Sequence, residues 1–547
     1  MNKFFFLSFF LCAYSFLYAE YNNDNPIIVS NNTFEQSGII KMVALDDGKN
    51  FIAWQEIDYN NGRTSTYLQL LDKNGNFLWD KKGVFIKETI DSQVNFEEDL
   101  NLMISKKGEA IISTTELNDD NIRSISFYKI SQNKEFLWGK SGKQIFSEEE
   151  TTSLNQVAVH QTAEGNIFIC ATSAGKAFLQ AINDNGESLF EETKTIEENI
   201  TDVQILSSIS NRFFLTYKIN KALYVDIYDN KGAIQDKAIY VGNESGEKLN
   251  PMEKYYAFSD GNGGIIIVWE NIFEGLKSVF VQRINENGER LFEADGVNLA
   301  NGEADCSSPI ADVDIKNQII YVAFAKSELN KKNIYLKRLD FDGNILGEME
   351  LSEKVDYEID NKPIAIVHIP NGRAIIAMKI KKSFNQDYTI VAVRADENNA
   401  IFWEKTVYDG EFSSVCATHF HMHQIVLAWC GKNGASKAIK AQNITYNGIL
   451  GVDDGSIKTD MNLMKDALIY PNPVNNFANI LITSKLPHFT TINIYDVNGI
   501  CVVKNLQNYL NSGENEVKIN VSNLPSGFYQ VFLSTDSYEY NYGIIKQ

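Results

Sequence analysis

Residues 71–79, "LDKNGNFLW", indicate the fold because the same pattern recurs along the chain. The stretch places an Asp-x-Asn-Gly turn signal between an apolar run and a Leu-Trp pair. Similar segments follow in order: "ISQNKEFLW" (130–138), "INDNGESLF" (182–190), "YDNKGAI" (228–234), "INENGERLF" (284–292), "LDFDGNIL" (339–346), "ADENNAIFW" (395–403) and "TYNGIL" (445–450). The interval from Gly75 to Gly448 contains seven steps, so the mean period is about 53 residues. A constant period of this size predicts a repeat architecture.

Each repeat contains several short apolar runs besides the turn. One run ends at a large residue, as in "NFIAW", "GGIIIVW" and "QIVLAW". A second run with alternating polarity, such as "SVFVQRI", comes directly before the turn, and a shorter one, such as "PIADVDI", starts the unit. With the segment after the turn, this gives four strands joined by tight turns and no helical periodicity. The chain is therefore predicted to be all-β, with eight such units.

A four-stranded antiparallel unit of this size matches the blade of a β-propeller. A single blade cannot bury both of its faces, so blades must pack face to face around an axis. We predict eight blades over residues 20–451, with seven as the alternative. The segment "NPIIVSNNTF" near the N-terminus is expected to add an outer strand to the last blade and close the ring. An array of immunoglobulin-like domains would need nearly twice the period.

The Asn-Gly pairs of the repeat favour type I′ hairpin turns, because both central residues tolerate positive φ. In one repeat, Asp340, Asp342 and Gly343 form "DFDG", a pattern that also suggests calcium. The turn is the better interpretation, since calcium needs more oxygen ligands and the other repeats replace these Asp residues.

The first residues predict export. Residues 1–19 combine a positive Lys3, an apolar run over residues 4–16 and the small Ala19, which is the pattern of a secretory signal peptide. No later stretch is long and apolar enough for a membrane helix, so we expect no transmembrane segment.

Five cysteines remain after cleavage, and they lack CxxC spacing. We predict buried thiols at Cys170, Cys306, Cys416, Cys430 and Cys501. A disulfide between Cys416 and Cys430 is the alternative, because these two would lie on adjacent strands of one blade. The formal net charge of −21 argues against nucleic acid as a partner, since the chain would be repelled by phosphate backbones.

Half of the six histidines lie in "HFHMH". On a strand, His419, His421 and His423 would share one face and form a weak candidate for a zinc or copper site. However, "SSVCATHFHMHQ" aligns without gaps with "SSPIADVDIKNQ" of an earlier repeat, which places the histidines around a turn. A structural role is therefore favoured, and no metal or other cofactor is predicted.

No familiar catalytic motif is present, and no catalytic residue is predicted. Two functions stay open for the repeat region. The first is a non-catalytic propeller that binds an unknown protein or glycan. The second is a propeller glycoside hydrolase or polysaccharide lyase that acts on extracellular polymer, since carboxylates that converge in space leave no sequence motif.

The pattern changes after a polar linker at residues 452–467. Residues 468–547 read "LIYPNPVNNFANILI", "TINIYDVNGICVVK", "GENEVKINVSNLPSGFYQVFL" and "NYGIIKQ". This composition predicts a small antiparallel β-sandwich of about seven strands. Pro471 and Pro473 are expected at an extended entry, and 498–499 and 526–527 at hairpin turns.

At these residues the tail resembles the type A C-terminal sorting domain of the type IX secretion system of Bacteroidetes. Four motifs stand in the family's order, and they supply the predicted sorting residues: Tyr470, Pro471, Asn472, Pro473, Asp496, Gly499, Leu524, Pro525, Gly527, Tyr529 and Lys546. Gly543 departs from the family, in which a Lys is common before the terminal apolar pair.

The resemblance implies a route and partners. The signal peptide would take the chain to the periplasm, and the tail would direct it through the outer membrane by the type IX machinery. A sortase-like peptidase would then remove the tail near residues 460–466. The protein would be released into the medium or attached to the outer-membrane surface.

Overall fold

The computed structural model describes residues 26–30, 39–58, 60–89, 100–117, 123–146, 154–162, 165–207, 212–219, 222–241, 255–273, 275–293, 295–300, 304–369, 373–396, 398–418, 424–434, 436–445, 448–451, 464–484, 488–496, 501–511, 513–534 and 539–547. The chain divides into two compact units. The first is Met1–His368 with Ala374–Val452, and the second is Ile369–Arg373 with Asp453–Gln547. All regular structure in the described residues is β, which confirms the predicted class.

Eight antiparallel sheets form in the described part of the first unit, numbered here in chain order. Sheet 1 contains β2 (Ile40–Ala44), β3 (Asn50–Asp58), β4 (Arg63–Leu71) and β5 (Val84–Thr89), and sheet 2 contains β6 (Leu100–Ile104), β7 (Ala110–Leu117), β8 (Arg123–Ile130) and β9 (Lys143–Gln144). Sheet 3 contains β10 (Leu154–Gln161), β11 (Ile167–Ser173), β12 (Lys176–Ile182) and β13 (Lys194–Glu198), and sheet 4 contains β14 (Ile200–Ser207), β15 (Arg212–Ile219), β16 (Ala222–Asp229) and β17 (Ile234–Tyr240).

Sheet 5 contains β18 (Tyr255–Ser259), β19 (Ile265–Phe273), β20 (Leu276–Ile284) and β21 (Val297–Asn298), and sheet 6 contains β22 (Asp305–Asp314), β23 (Ile319–Glu328), β24 (Lys331–Asp340), β25 (Ile345–Glu350) and the short β26 (Val355–Asp356). Sheet 7 contains β27 (Lys362–Ile369), β28 (Arg373–Ile380), β29 (Thr389–Ala395) and β30 (Ile401–Asp409), and sheet 8 contains β31 (Phe412–Ala417), β32 (Gln424–Asn433), β33 (Ser436–Thr445) and β1 (Ile27–Ser30).

The N-terminal strand completes the last sheet, as predicted. β1 pairs antiparallel with β33, and Ile27 lies opposite Ala441. Ser30 then donates a hydrogen bond from Oγ to Glu56 Oε1 in sheet 1 at 2.7 Å. The last sheet therefore contains both ends of the repeat region and contacts the first sheet.

Apolar residues fill the spaces between neighbouring sheets around the unit. Separate clusters join sheets 1 and 2, 2 and 3, 3 and 4, 4 and 5, 5 and 6, 6 and 7, and 8 and 1. Tyr408 of sheet 7 packs on Trp429 of sheet 8, with ring centroids 5.3 Å apart. The sheets thus follow one another in a closed, propeller-like ring, and the first strands of sheets 1 to 6 contact one another in order, with the first strand of sheet 8 against that of sheet 1.

The repeated turn has a different geometry from the predicted type I′ turn. Asp72 Oδ1 accepts hydrogen bonds from the backbone nitrogens of Asn74 and Asn76, both at 2.8 Å. Gly75 has a φ of +87°, whereas Asn74 is not among the residues with positive φ. The prediction was wrong because the Asp side chain, and not a second positive-φ residue, holds this longer turn.

Other repeats use the same side-chain acceptor at the first turn position: Asn183, Asp229, Asn285, Asp340 and Asp396. Ser131 and Thr445 use a hydroxyl. At "DFDG" both carboxylate oxygens of Asp340 accept hydrogen bonds from within the turn, so the turn explains this motif.

Where an aromatic residue follows the turn, as at Trp79, Phe190 and Trp403, it contacts the turn of the next sheet. Trp79 donates a hydrogen bond from Nε1 to the carbonyl oxygen of Gln132 at 2.7 Å. A methyl group added at Gly232 would lie 2.3 Å from the Phe190 ring, and one at Gly448 would lie 2.8 Å from the Trp403 ring. The Gly and the aromatic residue of the repeat are thus two sides of one contact between sheets.

In the described residues of the second unit, seven strands form two antiparallel sheets. One sheet has the order β34 (Met464–Tyr470), β35 (Phe477–Ser484), β38 (Gly513–Asn520), and the other has the order β37 (Cys501–Leu510), β36 (His488–Asp496), β39 (Gly527–Ser534), β40 (Glu539–Lys546). Both sheets contribute to one apolar core, for example through Ile480 and Val531.

Three local predictions for the tail differ from the structure. β34 begins at Met464, inside the segment assigned to the linker, because that segment pairs with the end of β35. Pro471 and Pro473 therefore follow a strand and do not precede the first one. Residues 526–527 join strands of two different sheets, so they do not form a hairpin turn.

Candidate functional sites in the two units

A cavity of the first unit lies where the first strands of sheets 5 to 8 begin. It has a volume of about 590 Å³. The starts of β18, β22, β27 and β31 line it, together with the ends of β19 and β28. A cavity of this size at the centre of a ring of sheets is the usual place for a ligand.

Two serines in the cavity wall have an unusual backbone. Ser308 has a φ of +54° and Ser414 a φ of +40°. Each lies at a register shift of its strand, between Ser307 and Ile310 in β22 and between Ser413 and Val415 in β31. Bulges of this kind redirect side chains and are frequent beside binding sites.

Glu270 lies in the wall formed by sheet 5 and is already bound on both oxygens. Its Oε2 accepts a hydrogen bond from the backbone nitrogen of Ser308 at 3.0 Å. Its Oε1 lies 3.0 Å from Lys277 Nζ. The carboxylate therefore holds the bulge of the neighbouring sheet in place.

Sheet 7 contributes a group of positive charges to the opposite wall. Lys379 Nζ lies 2.9 Å and Lys362 Nζ 3.2 Å from the same oxygen, Asp360 Oδ2. Lys379 also lies over the ring of Tyr388, 4.0 Å from its centroid, with Lys381 at 5.1 Å. Burial alone would raise the pKa of Asp360, but the hydrogen bond and charge of Lys379 and the charge of Lys362 lower it overall.

A histidine joins the first strands of sheets 6 and 7. His368 lies 2.7 Å from Asp312 Oδ2 through Nδ1, and its backbone nitrogen donates to the same oxygen at 2.6 Å. Burial lowers the pKa of His368, but the hydrogen bond to Asp312 and the charges of Asp312 and Asp314 outweigh it and raise the pKa overall.

Sheets 1 to 4 surround a second cavity of about 330 Å³. Here polar side chains connect each first strand to the next. Asn101 donates to the carbonyl oxygen of Val157 at 3.3 Å, Gln156 accepts from the nitrogen of Val203 at 2.8 Å, and Gln204 donates to the carbonyl oxygen of Tyr255 at 3.0 Å. These amides are occupied by structural contacts, so this side of the ring offers fewer groups to a ligand.

The candidate metal residues His419, His421 and His423 lie outside the described residues. Within the described ranges, no group of three or more His, Cys, Asp or Glu side chains could hold a metal ion. Cys416 and Cys430 are free thiols, so the alternative disulfide is wrong. Cys416 lies opposite Ala428 and Cys430 opposite Ser413, so the two cysteines do not face each other in the paired strands.

Cys170, Cys306 and Cys430 are buried, and Cys416 is partly buried. Burial raises the pKa of Cys306 to about 12, which keeps this thiol protonated and unreactive. The prediction of buried thiols is thus confirmed at Cys170, Cys306 and Cys430, whereas the side chain of Cys501 lies outside the described part of the chain.

In the second unit, the first sorting motif lies against the C-terminal strand. Asn472 donates from Nδ2 to the carbonyl oxygen of Gly543 at 3.0 Å and accepts from the nitrogen of Ile545 at 2.9 Å. Val474 and Lys546 form a parallel bridge. Pro471 and Pro473 flank this clamp, and both follow cis peptide bonds. The two ends of the motif set, far apart in sequence, are thus one structural element.

The third motif closes on itself. Tyr529 is buried and donates from its hydroxyl to the carbonyl oxygen of Pro525 at 2.8 Å. Leu524 packs against the core, and Gly527 starts β39. Asp496 lies opposite Tyr529 in the paired strands, whereas Gly499 is outside the described residues.

Tyr470, the first residue of the first motif, contacts a residue two strands away in its own sheet. Its hydroxyl donates to Glu516 Oε1 at 2.8 Å, and this hydrogen bond raises the pKa of Tyr470. The contact joins the end of β34 to β38.

Sequence reasoning missed the residues of the 590 Å³ cavity. A signal was present, since "SSPIADVDIKNQ" and "SSVCATHFHMHQ" align without gaps and place Ser308 and Ser414 at equivalent positions. The lysines gave no signal, because Lys362 and Lys379 are ordinary strand residues until the pairing of β27 with β28 brings them together.

Comparisons with known proteins agree with this division. Residues 468–547 match the family described as secretion system C-terminal sorting domain. No curated protein matches the chain. Among solved structures, the chain is similar to the β-propeller domain of the Trilobed protease from Pyrococcus furiosus, with 11% identity and a TM-score of 0.38. The match covers 69% of this chain and 97% of that domain.

Two further solved structures are the polysaccharide lyase Uly1 and an endo-arabinase from Bacteroides thetaiotaomicron. The lyase has 11% identity and a TM-score of 0.37, and the match covers 78% of this chain and 97% of the lyase. The arabinase has 13% identity and a TM-score of 0.26, with 44% and 92% covered. Such low similarity says nothing about activity.

The described residues include no helix that could cross a membrane. The clamp of the first motif on the C-terminal strand, the closed third motif and the family match concern the same 80 residues. Residues 468–547 are a type IX C-terminal sorting domain, and this domain implies export of the chain to the cell surface or the medium.

Proposed function

We propose that the chain is an exported, non-catalytic binding protein, and that its ligand, a protein or a glycan, occupies the 590 Å³ cavity of sheets 5 to 8. The observation that carries this proposal is the state of Glu270, which lines the cavity, and of Asp360, which pairs with the lining lysines Lys362 and Lys379. Glu270 is bound by Lys277 and by a backbone nitrogen, and Asp360 is bound by two lysines. Acid–base chemistry on a polymer requires carboxylates that can reach the substrate.

The rest of the cavity suits binding. Tyr256 and Phe412 offer rings, Pro309 and Pro363 offer rigid apolar surface, and the serines at the two bulges offer hydroxyls. Pockets that hold ligands usually combine such apolar walls with a few placed polar groups.

We further infer the route from the tail. A signal peptide at residues 1–19 would deliver the chain to the periplasm of a member of the Bacteroidetes. A sortase-like peptidase would remove the tail after translocation, and the repeat unit would be released or attached to the surface.

The rival function is a glycoside hydrolase or polysaccharide lyase. One experiment separates the two. The mature protein is incubated with panels of glycans and peptides, and binding and chain cleavage are measured on the same samples. The proposal is supported if the protein binds a ligand without cleaving it, and if Phe412→Ala loses this binding while Phe85→Ala keeps it. Phe85 serves as the control because it is an exposed phenylalanine on the outer strand of sheet 1. Cleavage of any polymer, or binding that ignores Phe412, overturns it.

A further inference from the structure

The wall contributed by sheet 7 has more positive than negative groups. Lys362 and Lys379 share the single oxygen Asp360 Oδ2 at 3.2 and 2.9 Å, and Lys381 lies near Lys379 over the ring of Tyr388. Two lysines that line the cavity thus share one carboxylate, in a chain whose net charge is −21. A local reversal of sign inside a cavity favours a negatively charged ligand.

Lys362 and Lys379 keep hydrogen-bond donors for a second anion besides Asp360. Each ammonium has three donors, and Asp360 Oδ2 uses one donor of each of the two nearest lysines. The side chain of Asp360 is 51% exposed, so it is a surface carboxylate and not a buried structural one. Its backbone is fixed, since its nitrogen donates to the Tyr388 hydroxyl at 3.1 Å. The neighbouring Asn361 forms two further hydrogen bonds with the backbone of Lys381.

We propose that this wall binds an anionic group of an acidic polysaccharide, and that Asp360 occupies the lysines in the free protein and competes with the ligand. The inference rests on the proposed function, because it names the ligand class for the same cavity. The polysaccharide is favoured over an acidic peptide because Tyr256 and Phe412 offer faces for sugar rings and Ser413 and Ser414 offer hydroxyls in the same cavity.

Competition by Asp360 gives effects of opposite sign. The double variant Lys362→Gln with Lys379→Gln loses two charge-assisted contacts, and its affinity should fall about tenfold or more. The variant Asp360→Asn frees the same lysines, and its affinity should rise about threefold. A purely structural role of the three residues would weaken binding in both variants.

The probes are polygalacturonate, which carries carboxylates, dextran sulfate, which carries sulfates, neutral dextran, and poly-glutamate. Binding to the mature protein is measured by titration calorimetry at two salt concentrations. Lys382→Gln is the matched control, because Lys382 is the next lysine along the chain and its nearest carboxylate is Glu353, 3.7 Å away. Thermal unfolding of every variant checks that the fold is kept.

Binding of polygalacturonate or dextran sulfate, with the two opposite effects and weakening in salt, supports the proposal and identifies the anion as carboxylate or sulfate. Equal binding of neutral dextran, tighter binding of poly-glutamate than of either polysaccharide, or weaker binding by Asp360→Asn would overturn it. If the glycan and peptide screen finds a neutral ligand that needs Phe412 but not the lysines, only this inference fails. If no ligand needs the cavity at all, the proposed function fails with it.

Discussion

Trp138 donates a hydrogen bond from Nε1 to the carbonyl oxygen of Asp184, 46 residues further along the chain, at 3.1 Å. The same ring lies under the turn of the next repeat, where a methyl group added at Gly186 would be 3.1 Å away. Lys129 reinforces the contact by an ion pair with Asp184. The opening pattern of the repeat is therefore a contact between sheets as well as a turn.

Replacing Trp138 by Ala should lower the free energy of unfolding by about 3–5 kcal/mol, because a large buried ring and its hydrogen bond are lost together. Leu137→Ala is the control, since Leu137 is 44% exposed while Trp138 is 7% exposed. We expect a change within about 0.5 kcal/mol for this control. Chemical denaturation of the mature protein measures both, and equal losses would contradict the contact.

The closure of the ring by β1 gives a second prediction. Val29 is 1% exposed and Ile28 is 41% exposed, although the two are adjacent on one strand. Val29→Asp should cost about 3 kcal/mol or more, because it buries an unpaired charge between sheets 8 and 1. Ile28→Asp should leave stability nearly unchanged. Denaturation midpoints of the two variants test this, and similar midpoints would show that β1 does not seal the ring.

Two histidines on first strands should act on stability with opposite pH dependence. The pKa of His368 is raised above the ordinary value of 6.5, so its contribution is fully present below pH 6.5 and is lost as the pH rises through the raised value. Its partner Asp312 is the source of this contribution. The melting temperature of the parent protein should therefore fall as the pH rises above 6.5. In His368→Gln this fall should be absent.

His160 titrates in the other direction. Burial lowers its pKa to about 4, so the folded protein holds it neutral while the unfolded chain takes up a proton near pH 6.5. The contribution of neutral His160 is present above pH 6.5 and is lost as the pH falls from there to about 4. His160→Phe should flatten the melting-temperature profile over that window, and an unchanged acid slope would contradict the assignment.

Sequence reasoning found what repeats. Aspartate, asparagine and glycine recur at about 53-residue spacing, and hydrogen bonds local to each turn, such as those of Asp72, make that pattern visible in one dimension. The strand that closes the last sheet was also visible, because the segment containing Ile27 and Val29 resembles the joint between repeats.

The cavity could not be found in the same way. Glu270 belongs to sheet 5, whereas Lys362 and Lys379 belong to sheet 7, so the two sides of the cavity wall come together only in the folded ring and no spacing relates them. The disulfide alternative failed for a similar reason. Cys416 lies opposite Ala428 and Cys430 opposite Ser413, and the strand register that sets these pairs leaves no mark in the sequence.

The sorting domain gives the last prediction. Deletion of residues 468–547 should leave the protein in the periplasm, because this domain is the part that implies recognition by the type IX machinery.

A finer test is Asn472→Ala, which removes the two hydrogen bonds that hold the first motif to the backbone of Gly543 and Ile545. We expect several-fold less protein at the surface and in the medium. Asn508→Ala is the control, since the side chain of Asn508 contacts only the nearby Leu506 in the hydrogen bonds described. Cell fractionation followed by immunoblotting measures all three. Full export of the deletion variant would mean that the tail is not needed for transport, whereas full export of Asn472→Ala alone would mean that the clamp on the C-terminal strand is not what the machinery requires.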